Sequence, residues 1–307
     1  MGFLPNGTRA TVSAVNPSGR IAVGSGNTTG GVQRAFRWRK DETPEMQNLG
    51  VPNDYISSTA TDLNNLGNFI VGYGQHTGAV NALRWRVIHE VLIDILESPQ
   101  EAITCFATGT SGLSGSEIVG YCRLRNGQDN AVCWLEGTTE VTTLEGLETH
   151  STSSAHAVSD DGNVIVGYST QQNIGHAVRW TRNPGTNTFS ISDLNVRPEP
   201  PQDTWRAIAL GVNHDGTVIV GKCISGHGPI NQIIEAFIWR ADTTPQVQKL
   251  PDITPGYKRS IAYDVIKKDD GTIIAVGQSF QRSAHSSFQE LAVRWNNLKI
   301  ENLNFPS

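Results

Sequence analysis

Acidic, imidazole and phenol side chains recur at equivalent places along this sequence, in the segment that opens each unit of the repeat described below. Asp62 and Asp264 share one register, and His156 and Tyr263 stand one position earlier in their own units. Two carboxylates that meet in a cleft can act as acid and base or hold a cation. Polar residues also hydrate the inner face of such a strand, and we favour that interpretation. The four residues are therefore weak catalytic candidates, for a hydrolase or lyase acting on a polysaccharide.

Two other sets of residues could bind metal. Four histidines fall in equivalent loops: His76, His176, His227 and His285. Three turns are acidic: Asp160-Asp161-Gly162, His214-Asp215-Gly216 and Asp269-Asp270-Gly271. Zinc requires ligands about 2 Å from the ion, whereas loops of different units lie far apart, and the turns offer too few oxygens for calcium. We predict no metal and no cofactor. No GxSxG elbow, phosphate loop or HExxH motif appears that would predict a catalytic site.

Aromatic residues outside the repeat indicate a binding surface. Trp205 is the one Trp that the repeated motif does not contain, and it lies in the longest link between units, VRPEPPQDTWRA. Tyr55 and Tyr257 occupy other links, and Arg206 and His227 lie nearby. Exposed Trp and Tyr beside cations suit recognition of a protein or a glycan. The alternative, that Trp205 caps the edge of a core, is equally consistent with the sequence.

The strand that should carry the core recurs six times, as in NVIVGYS, which ends at Ser169. Its glycines are spaced by 48, 48, 47, 54 and 56 residues, at Gly24, Gly72, Gly120, Gly167, Gly221 and Gly277. A period near fifty is typical of propeller blades and solenoid units. The residue two positions after each glycine is small, which indicates the close approach of another body.

A second motif, Ala, a large apolar residue, any residue and Trp, follows each glycine strand. Its indoles are Trp38, Trp85, Trp134, Trp180, Trp239 and Trp295. Side chains alternate across a strand, so the apolar residue and the Trp share one face. We predict that each indole packs between two sheets, in the space that the small residues of a neighbouring glycine strand leave.

The cysteines occupy places in this repeat. Cys122 and Cys223 stand at the small position after the motif glycine, and Cys133 fills the slot before Trp134. They are predicted to be substitutions within the repeat rather than metal ligands. A bridge from Cys122 to Cys133 across one hairpin is left open, although their registers look offset and disulfides tolerate little offset.

With a fourth short strand ending each unit, the chain divides into six four-stranded units at about 8–50, 51–98, 99–147, 148–196, 197–253 and 254–303. Radial closure of such units protects their strand edges. We predict an all-β fold, a six-bladed β-propeller of four-stranded antiparallel blades forming one domain over residues 1–307. A β-solenoid is the alternative, but its coils are usually shorter.

The combination of A-x-A-V-S-D-D-G, I-V-G-Y and A-F/V-R-W resembles the HAF-type extracellular repeat family, and more loosely WD-type propeller repeats. The resemblance runs from about Thr8 to Leu303, and the third copy departs most, with GTSGLSGSE in place of the acidic turn. It implies a secreted or surface-exposed bacterial protein and no catalytic residues.

The composition and charge of the chain narrow the range of possible functions further. The formal net charge is −5 and the Lys and Arg residues are dispersed, so nucleic acid is not an expected partner. No apolar run is long enough to span a membrane. The N-terminus, MGFLPNGTRA, lacks a signal pattern, which leaves cytosolic location, or delivery by another route, beside the extracellular one. The sequence therefore predicts a binding scaffold that recognises a protein or a glycan through one rim, and more weakly an enzyme.

Overall fold

The computed structural model describes residues 2–43, 46–135, 137–149, 151–172, 174–198, 204–226, 232–244, 246–254, 258–282 and 288–303, with the backbone alone at 281, 282 and 288. The fold is all-β, and strands make up 59% of it. A single 3-10 turn lies at Thr29–Gly31. Among these residues, no helix is long and apolar enough to cross a bilayer. The chain forms two compact units.

Unit 1 comprises Met1–Leu144 and Asp160–Gly162 and contains three sheets. Sheet 1 has β1 to β4 at Ala10–Val15, Ile21–Asn27, Gln33–Arg39 and Met46–Asn48. Sheet 2 has β5 to β8 at Tyr55–Leu63, Phe69–His76, Ala79–Val87 and Val91–Ile95. Sheet 3 has β9 to β12 at Ala102–Thr110, Ile118–Leu124, Asp129–Trp134 and Val141–Thr143.

Unit 2 comprises Glu145–Ser159 and Asn163–Ser307 and contains three more sheets. Sheet 4 has β13 to β16 at Ser153–Val158, Val164–Gln171, Ile174–Arg182 and Phe189–Asp193. Sheet 5 has β17 to β20 at Trp205–Val212, Val218–Ser225, Ile233–Arg240 and Val247–Lys249. Sheet 6 has β21 to β24 at Ser260–Lys267, Ile273–Arg282, Phe288–Asn296 and Lys299–Asn302.

All six sheets are antiparallel meanders in which consecutive strands pair, so the predicted four-stranded units are confirmed. One-residue parallel pairings, Val80 with Thr104 and Gly175 with Arg206, join sheets 2 and 3, and sheets 4 and 5, into two eight-stranded sheets. An isolated parallel bridge links Ile234 of sheet 5 to Arg259, which precedes sheet 6. A β-solenoid would stack its coils in long parallel ladders, and the described residues contain none.

Four of the six motif indoles pack between sheets as the sequence predicts, whereas Trp38 is only partly buried and packs with Leu4, Phe36 and Met46. Trp85 of sheet 2 is fully buried against a patch of sheet 1 formed by Ile21, Val23, Ala35 and Leu49. Trp134, Trp239 and Trp295 lie in equivalent layers, each against the preceding sheet of its unit. Removing about 200 Å² of indole from water provides about 5 kcal/mol of transfer free energy at each site.

The explanation predicted for the glycines is wrong. A Cβ on Gly72 would lie 2.0 Å from the carbonyl oxygen of Thr59, in the first strand of the same sheet. At the other five motif glycines, a Cβ would lie 1.9–2.0 Å from the equivalent carbonyl oxygen, which belongs to Thr11, Phe106, Ser154, Ile208 and Ile261. The space beside each motif glycine is therefore filled by the backbone of the glycine's own sheet, and it does not receive an indole from a neighbouring sheet.

A β-bulge in each first strand produces this close approach. In β5, Ala60 lies opposite Gly72 and Asp62 opposite Val71, so Thr61 is an extra residue without a cross-strand partner. The same one-residue shift recurs in every sheet, and its extra residues are Ser13, Thr61, Thr108, His156, Leu210 and Tyr263. A bulge re-aims the side chains beside it. His156 and Tyr263, two of the predicted catalytic candidates, are bulge residues.

Cysteine pairing also differs from the expectation. Cys122 forms a disulfide with Cys105, whereas the bridge left open was from Cys122 to Cys133. Cys105 lies directly opposite Cys122 in the ladder between β9 and β10, while Cys133 lies opposite Val119, is buried and takes part in no disulfide. Cys223 is likewise buried and outside any disulfide, as a substitution within the repeat would be.

Replacement of a motif glycine by alanine should strongly destabilise its unit. For Gly167→Ala we expect a loss of about 3 kcal/mol, because the new methyl group meets the Ser154 carbonyl and backbone atoms cannot rotate away. Gly185→Ala is the matched control: its Cβ meets no atom within 4 Å, and only its φ of 71° opposes a side chain, at about 1–2 kcal/mol. Urea denaturation measures both, and equal losses would contradict the bulge as the cause.

Loss of the disulfide should destabilise unit 1. A bridge that closes a 17-residue separation contributes about 3 kcal/mol through the entropy of the unfolded chain. We expect the double variant Cys105→Ala, Cys122→Ala to have a lower Tm than the wild type, and reductant to lower the Tm of the wild type but not of the variant. Four reactive thiols in the denatured, unreduced protein would show that the bridge does not form.

Candidate functional site

Asp62 and its neighbour Thr61 form hydrogen bonds that join sheet 2 to sheet 3. The Asp62 Oδ2 atom accepts the backbone N–H of Thr110 at 2.9 Å. Thr61 donates its hydroxyl to the carbonyl oxygen of Ala107 at 2.8 Å and lies 3.1 Å from that of Val71. These contacts give Asp62 a structural role, and a catalytic one stays a prediction.

Asp264 and Tyr263 are similarly engaged in unit 2. The Asp264 Oδ1 atom accepts the N–H of Val265 at 2.8 Å, and its backbone lies close against Gly211 of sheet 5. Tyr263 is 46% exposed and donates its hydroxyl to Gln278 at 2.8 Å. Desolvation, with the negative charge of Glu290, raises the pKa of Tyr263. A phenol with a raised pKa is a weaker candidate for a general base.

His156 is held as a neutral imidazole. Its Nε2 atom lies 3.0 Å from the hydroxyl of Ser154, and its ring lies 6.3 Å from that of Tyr168, centroid to centroid. Desolvation and the nearby charge of Lys222 lower the pKa of His156 to about 4. His156 is therefore uncharged at neutral pH, and it borders a cationic region.

Trp205 begins β17 and packs against the apolar core between sheets 4 and 5, so it caps the edge of that core. The Arg197 guanidinium lies 4.7 Å from its ring centroid, and the His176 ring lies at 5.0 Å. Both partners are themselves fixed, because Asp193 accepts hydrogen bonds from Arg197 at 2.7 Å and pairs with His176 Nδ1 at 2.8 Å. The indole is thus held rigidly, with part of its surface still accessible.

The charge of Asp193 stabilises this clamp. Desolvation acts to raise the pKa of Asp193, but hydrogen bonds from Arg197, from the Asn195 N–H and from His176 together bring it below its ordinary value. The carboxylate is therefore ionised at neutral pH, and its oxygens bind the groups that hold Trp205.

An open depression of about 430 Å³ lies beside Trp205, where β14, β15, β17 and β18 end or begin. We call it the Trp205 depression. Its described lining consists of Thr152, Tyr168, Thr170, Gly175, Thr204, Trp205, Arg206, Ile224, Ser225 and Gly226. The volume falls within the range of about 300–1,000 Å³ seen for small-ligand sites. Two of the predicted binding residues, Trp205 and Arg206, therefore lie together in one concave surface.

The position of Arg206 follows from the backbone of its neighbour. Gly175 pairs with Arg206 across the parallel bridge between sheets 4 and 5. A Cβ on Gly175 would lie 2.5 Å from Cγ of Arg206, so the aliphatic stem crosses the bare glycine backbone. Since Arg206 is exposed, its charge is available at the surface of the depression.

Other predicted binding residues lie elsewhere. Tyr55 is in sheet 2, in unit 1, where its hydroxyl donates to Asn81 at 2.8 Å and its ring lies 4.9 Å from His76. It packs against the core between sheets 1 and 2, and burial raises the pKa of its phenol. Tyr257 and His227 fall outside the described residues.

Tyr168, Lys222 and the hydroxyl residues around the depression were not singled out from the sequence. Lys222 directly follows the motif glycine of sheet 5, where sheets 2, 3 and 4 have Tyr73, Tyr121 and Tyr168. This departure from the repeat could have identified Lys222 from the sequence. The hydroxyl residues gave none, because Ser and Thr are common throughout the chain.

A second cavity, of about 400 Å³, lies between Arg197, Cys223, Glu235 and Lys249. The Glu235 carboxylate is compensated by Lys249 Nζ at 2.9 Å and Lys258 Nζ at 3.5 Å. Desolvation and the charge of Glu235 raise the pKa of Cys223 to about 12, so the thiol is unsuited to nucleophilic chemistry. Among the residues that the structure describes, no group of three or more His, Cys, Asp or Glu is placed to hold a metal ion.

Comparison with known proteins supports the fold class alone. No family model matches the chain, and no curated protein matches it by sequence. Among solved structures, it is similar to prolyl oligopeptidase B from Galerina marginata (10% identity, TM-score 0.52) and to oligopeptidase B from Leishmania major (10%, 0.52). The matches cover 95% and 93% of this chain but 39% and 38% of those chains.

The chain is also similar to TolB from Acinetobacter baumannii, at 13% identity and a TM-score of 0.49 over 90% of this chain and 64% of that one. The chain thus spans less than two thirds of the length of each of these three proteins. The matched parts of the peptidases are propeller domains, and the four-stranded antiparallel sheets described above are β-propeller-like.

The partly buried, desolvated imidazole of His156 predicts a pH-dependent stability. Between the ordinary pKa of 6.5 and the folded value of about 4, the unfolded chain binds a proton at His156 that the folded chain does not. Stability present above pH 6.5 is therefore lost as the pH falls towards 4, by about 3 kcal/mol at this site.

His156→Gln should lack this component. We expect its urea midpoint to fall less than that of the wild type between pH 7.5 and pH 4, and the difference between the two proteins isolates His156 from the other titrating groups. Parallel curves for the two proteins would show that the imidazole is not held neutral by the fold.

Proposed function

We propose that this protein is a non-catalytic binding scaffold, which recognises a protein or a glycan through the Trp205 depression. The observation that carries the proposal is a concave, solvent-open surface that combines a clamped indole, a phenol, an exposed guanidinium and several hydroxyl groups. Rigid aromatic anchors beside adaptable polar groups are the usual composition of a recognition surface. Loops and strand ends on a stiff scaffold are where such surfaces are normally found.

A six-bladed propeller over residues 1–307 is proposed as the arrangement of the six sheets, which do not close on one another through strand pairing in the described part of the chain. Three kinds of observation support this arrangement: the same indole layer recurs between sheets within each unit, the sheets share one bulge, and the matched solved structures include propeller domains. Closure would also protect the outer and inner edges of the sheets from pairing with other chains.

Membership of the HAF-type repeat family and an extracytoplasmic location form part of the proposal. The repeated motifs support the first, and the Cys105–Cys122 disulfide supports the second, because disulfides persist mainly in oxidising compartments. A hydrolase or lyase that uses Asp62, Asp264, His156 and Tyr263 remains the alternative. The contacts described for these residues favour scaffold roles over acid and base chemistry.

Removal of the indole should abolish binding. We expect Trp205→Ala to lose capture of ligands on an oligosaccharide array and from a displayed peptide library, because Trp205 forms one wall of the depression. Circular dichroism and the Tm confirm that the variant is folded, since Trp205 also packs against the core.

Tyr55→Phe is the matched control. It removes the hydrogen bond to Asn81 in unit 1 and should cost about 1 kcal/mol of stability while leaving capture unchanged. Capture that persists in folded Trp205→Ala would reject this surface as the binding site.

A further inference from the structure

We infer that the Trp205 depression takes an anionic saccharide, with a carboxylate or sulfate group held by Arg206 and Lys222 and sugar rings against Tyr168 and Trp205. This inference rests on the proposed function and gives it a ligand chemistry. It follows from the charges, the lining and the strand pairing of this one region of unit 2.

Arg206 lines the depression, and Lys222, which is not among the described lining residues, lies on the same face of sheet 5 as Arg206. Arg206 lies opposite Ile224 and Lys222 lies opposite Ile208, so the two cations are diagonal neighbours on one face of the β17–β18 ladder. Cross-strand neighbours of this kind are within reach of long side chains, and like charges there repel. Lys222 is only partly exposed, and desolvation together with the charge of Arg206 lowers its pKa.

Little in the described surroundings compensates this pair. Among the described residues that line the depression, none is acidic, and neither cation forms an ion pair within the described part of the chain. Asp193, at the edge of this region, is committed to Arg197 and His176. An anionic group bound here would relieve the repulsion and form charge-assisted hydrogen bonds.

The remaining lining suits sugars. Hydroxyl groups of Thr152, Thr170, Thr204 and Ser225 surround the space, and each can donate or accept. Tyr168 and Trp205 add aromatic surface, against which the C–H face of a sugar ring can pack. A neutral sugar would use these groups but would leave the two cations uncompensated.

An acidic peptide fits the same charges less well. Peptides commonly bind by extending a free strand edge or by filling an apolar groove. Here β15 pairs on both edges, with β14 and β16, and β17 pairs with β18 along one edge and is bridged to Gly175 at Arg206, the residue that lines the depression. Side-chain hydroxyls and charges are what this surface offers.

Isothermal titration calorimetry on the full chain tests the inference with four probes. These are a galacturonate oligosaccharide (carboxylate), a heparin-derived oligosaccharide (sulfate), a neutral galactose oligosaccharide and an oligoglutamate peptide. We expect at least one anionic saccharide to bind about tenfold more tightly than the neutral one, with an affinity that falls as salt is raised. The first two probes distinguish carboxylate from sulfate.

Lys222→Tyr is the decisive variant, because tyrosine is the residue of sheets 2, 3 and 4 at this position and should be accommodated by the fold. It should weaken anionic saccharide binding by about tenfold, Lys222→Arg should restore it, and Lys299→Gln, which removes an exposed cation elsewhere in unit 2, should have no effect.

Three outcomes would overturn the inference: none of the saccharides binds, the peptide binds as tightly as the saccharides, or the affinity of Lys222→Tyr equals that of the wild type. If Trp205→Ala abolishes array or library capture while Lys222→Tyr does not change it, the proposed function stands and only the anionic specificity fails.

Discussion

The structure depends on one backbone contact that is repeated in every sheet: the bulge of the first strand presses a carbonyl oxygen to within 2 Å of where a Cβ of the second strand would be. Only glycine can occupy that place, which is why it marks all six copies. Since the bulge inserts one residue, it also twists the first strand and shifts its side-chain alternation by one place. The apolar residues before and after the bulge can then contact different neighbouring strands. The layers of indoles between the sheets form on this backbone.

The same contact explains which residues are candidates for function. A bulge residue lacks a cross-strand partner, so its side chain is less constrained by the ladder than its neighbours are. Thr108 donates its hydroxyl to the carbonyl oxygen of Val119 in the second strand of its sheet, and Thr61 donates its hydroxyl to the carbonyl oxygen of Ala107 in the next sheet. His156 uses this freedom to lie between Ser154 and Tyr168, beside the cations of the next sheet.

Sequence periodicity predicts the strands, their antiparallel order and the buried indoles because each of these follows from alternation and from residue size. It does not reveal the bulge, since inserting one residue leaves the spacing between motifs unchanged, and so the glycines were assigned to the wrong neighbour. Register errors of the same kind hid the Cys105–Cys122 pair, which lies opposite only once the ladder is known. Trp205 and Arg206 could be proposed from their place in a link, whereas Tyr168 joins them through the packing of sheet 4 against sheet 5, and Lys222 lies beside Arg206 only because of the register of β17 and β18.

A repeat also provides its own reference for what packing alone requires. Where Tyr73, Tyr121 and Tyr168 stand in successive sheets, the scaffold is satisfied by an aromatic residue that is partly buried. Lys222 stands at that place in sheet 5 with a lowered pKa, and Arg206 beside it adds to the repulsion, so stability alone does not explain the substitution. Ser25 and Gln278 at this place in sheets 1 and 6 show that the scaffold accepts uncharged residues other than tyrosine there. A cation at this place, diagonal to Arg206 at the edge of the depression, is therefore most simply explained by a negatively charged ligand that compensates both charges.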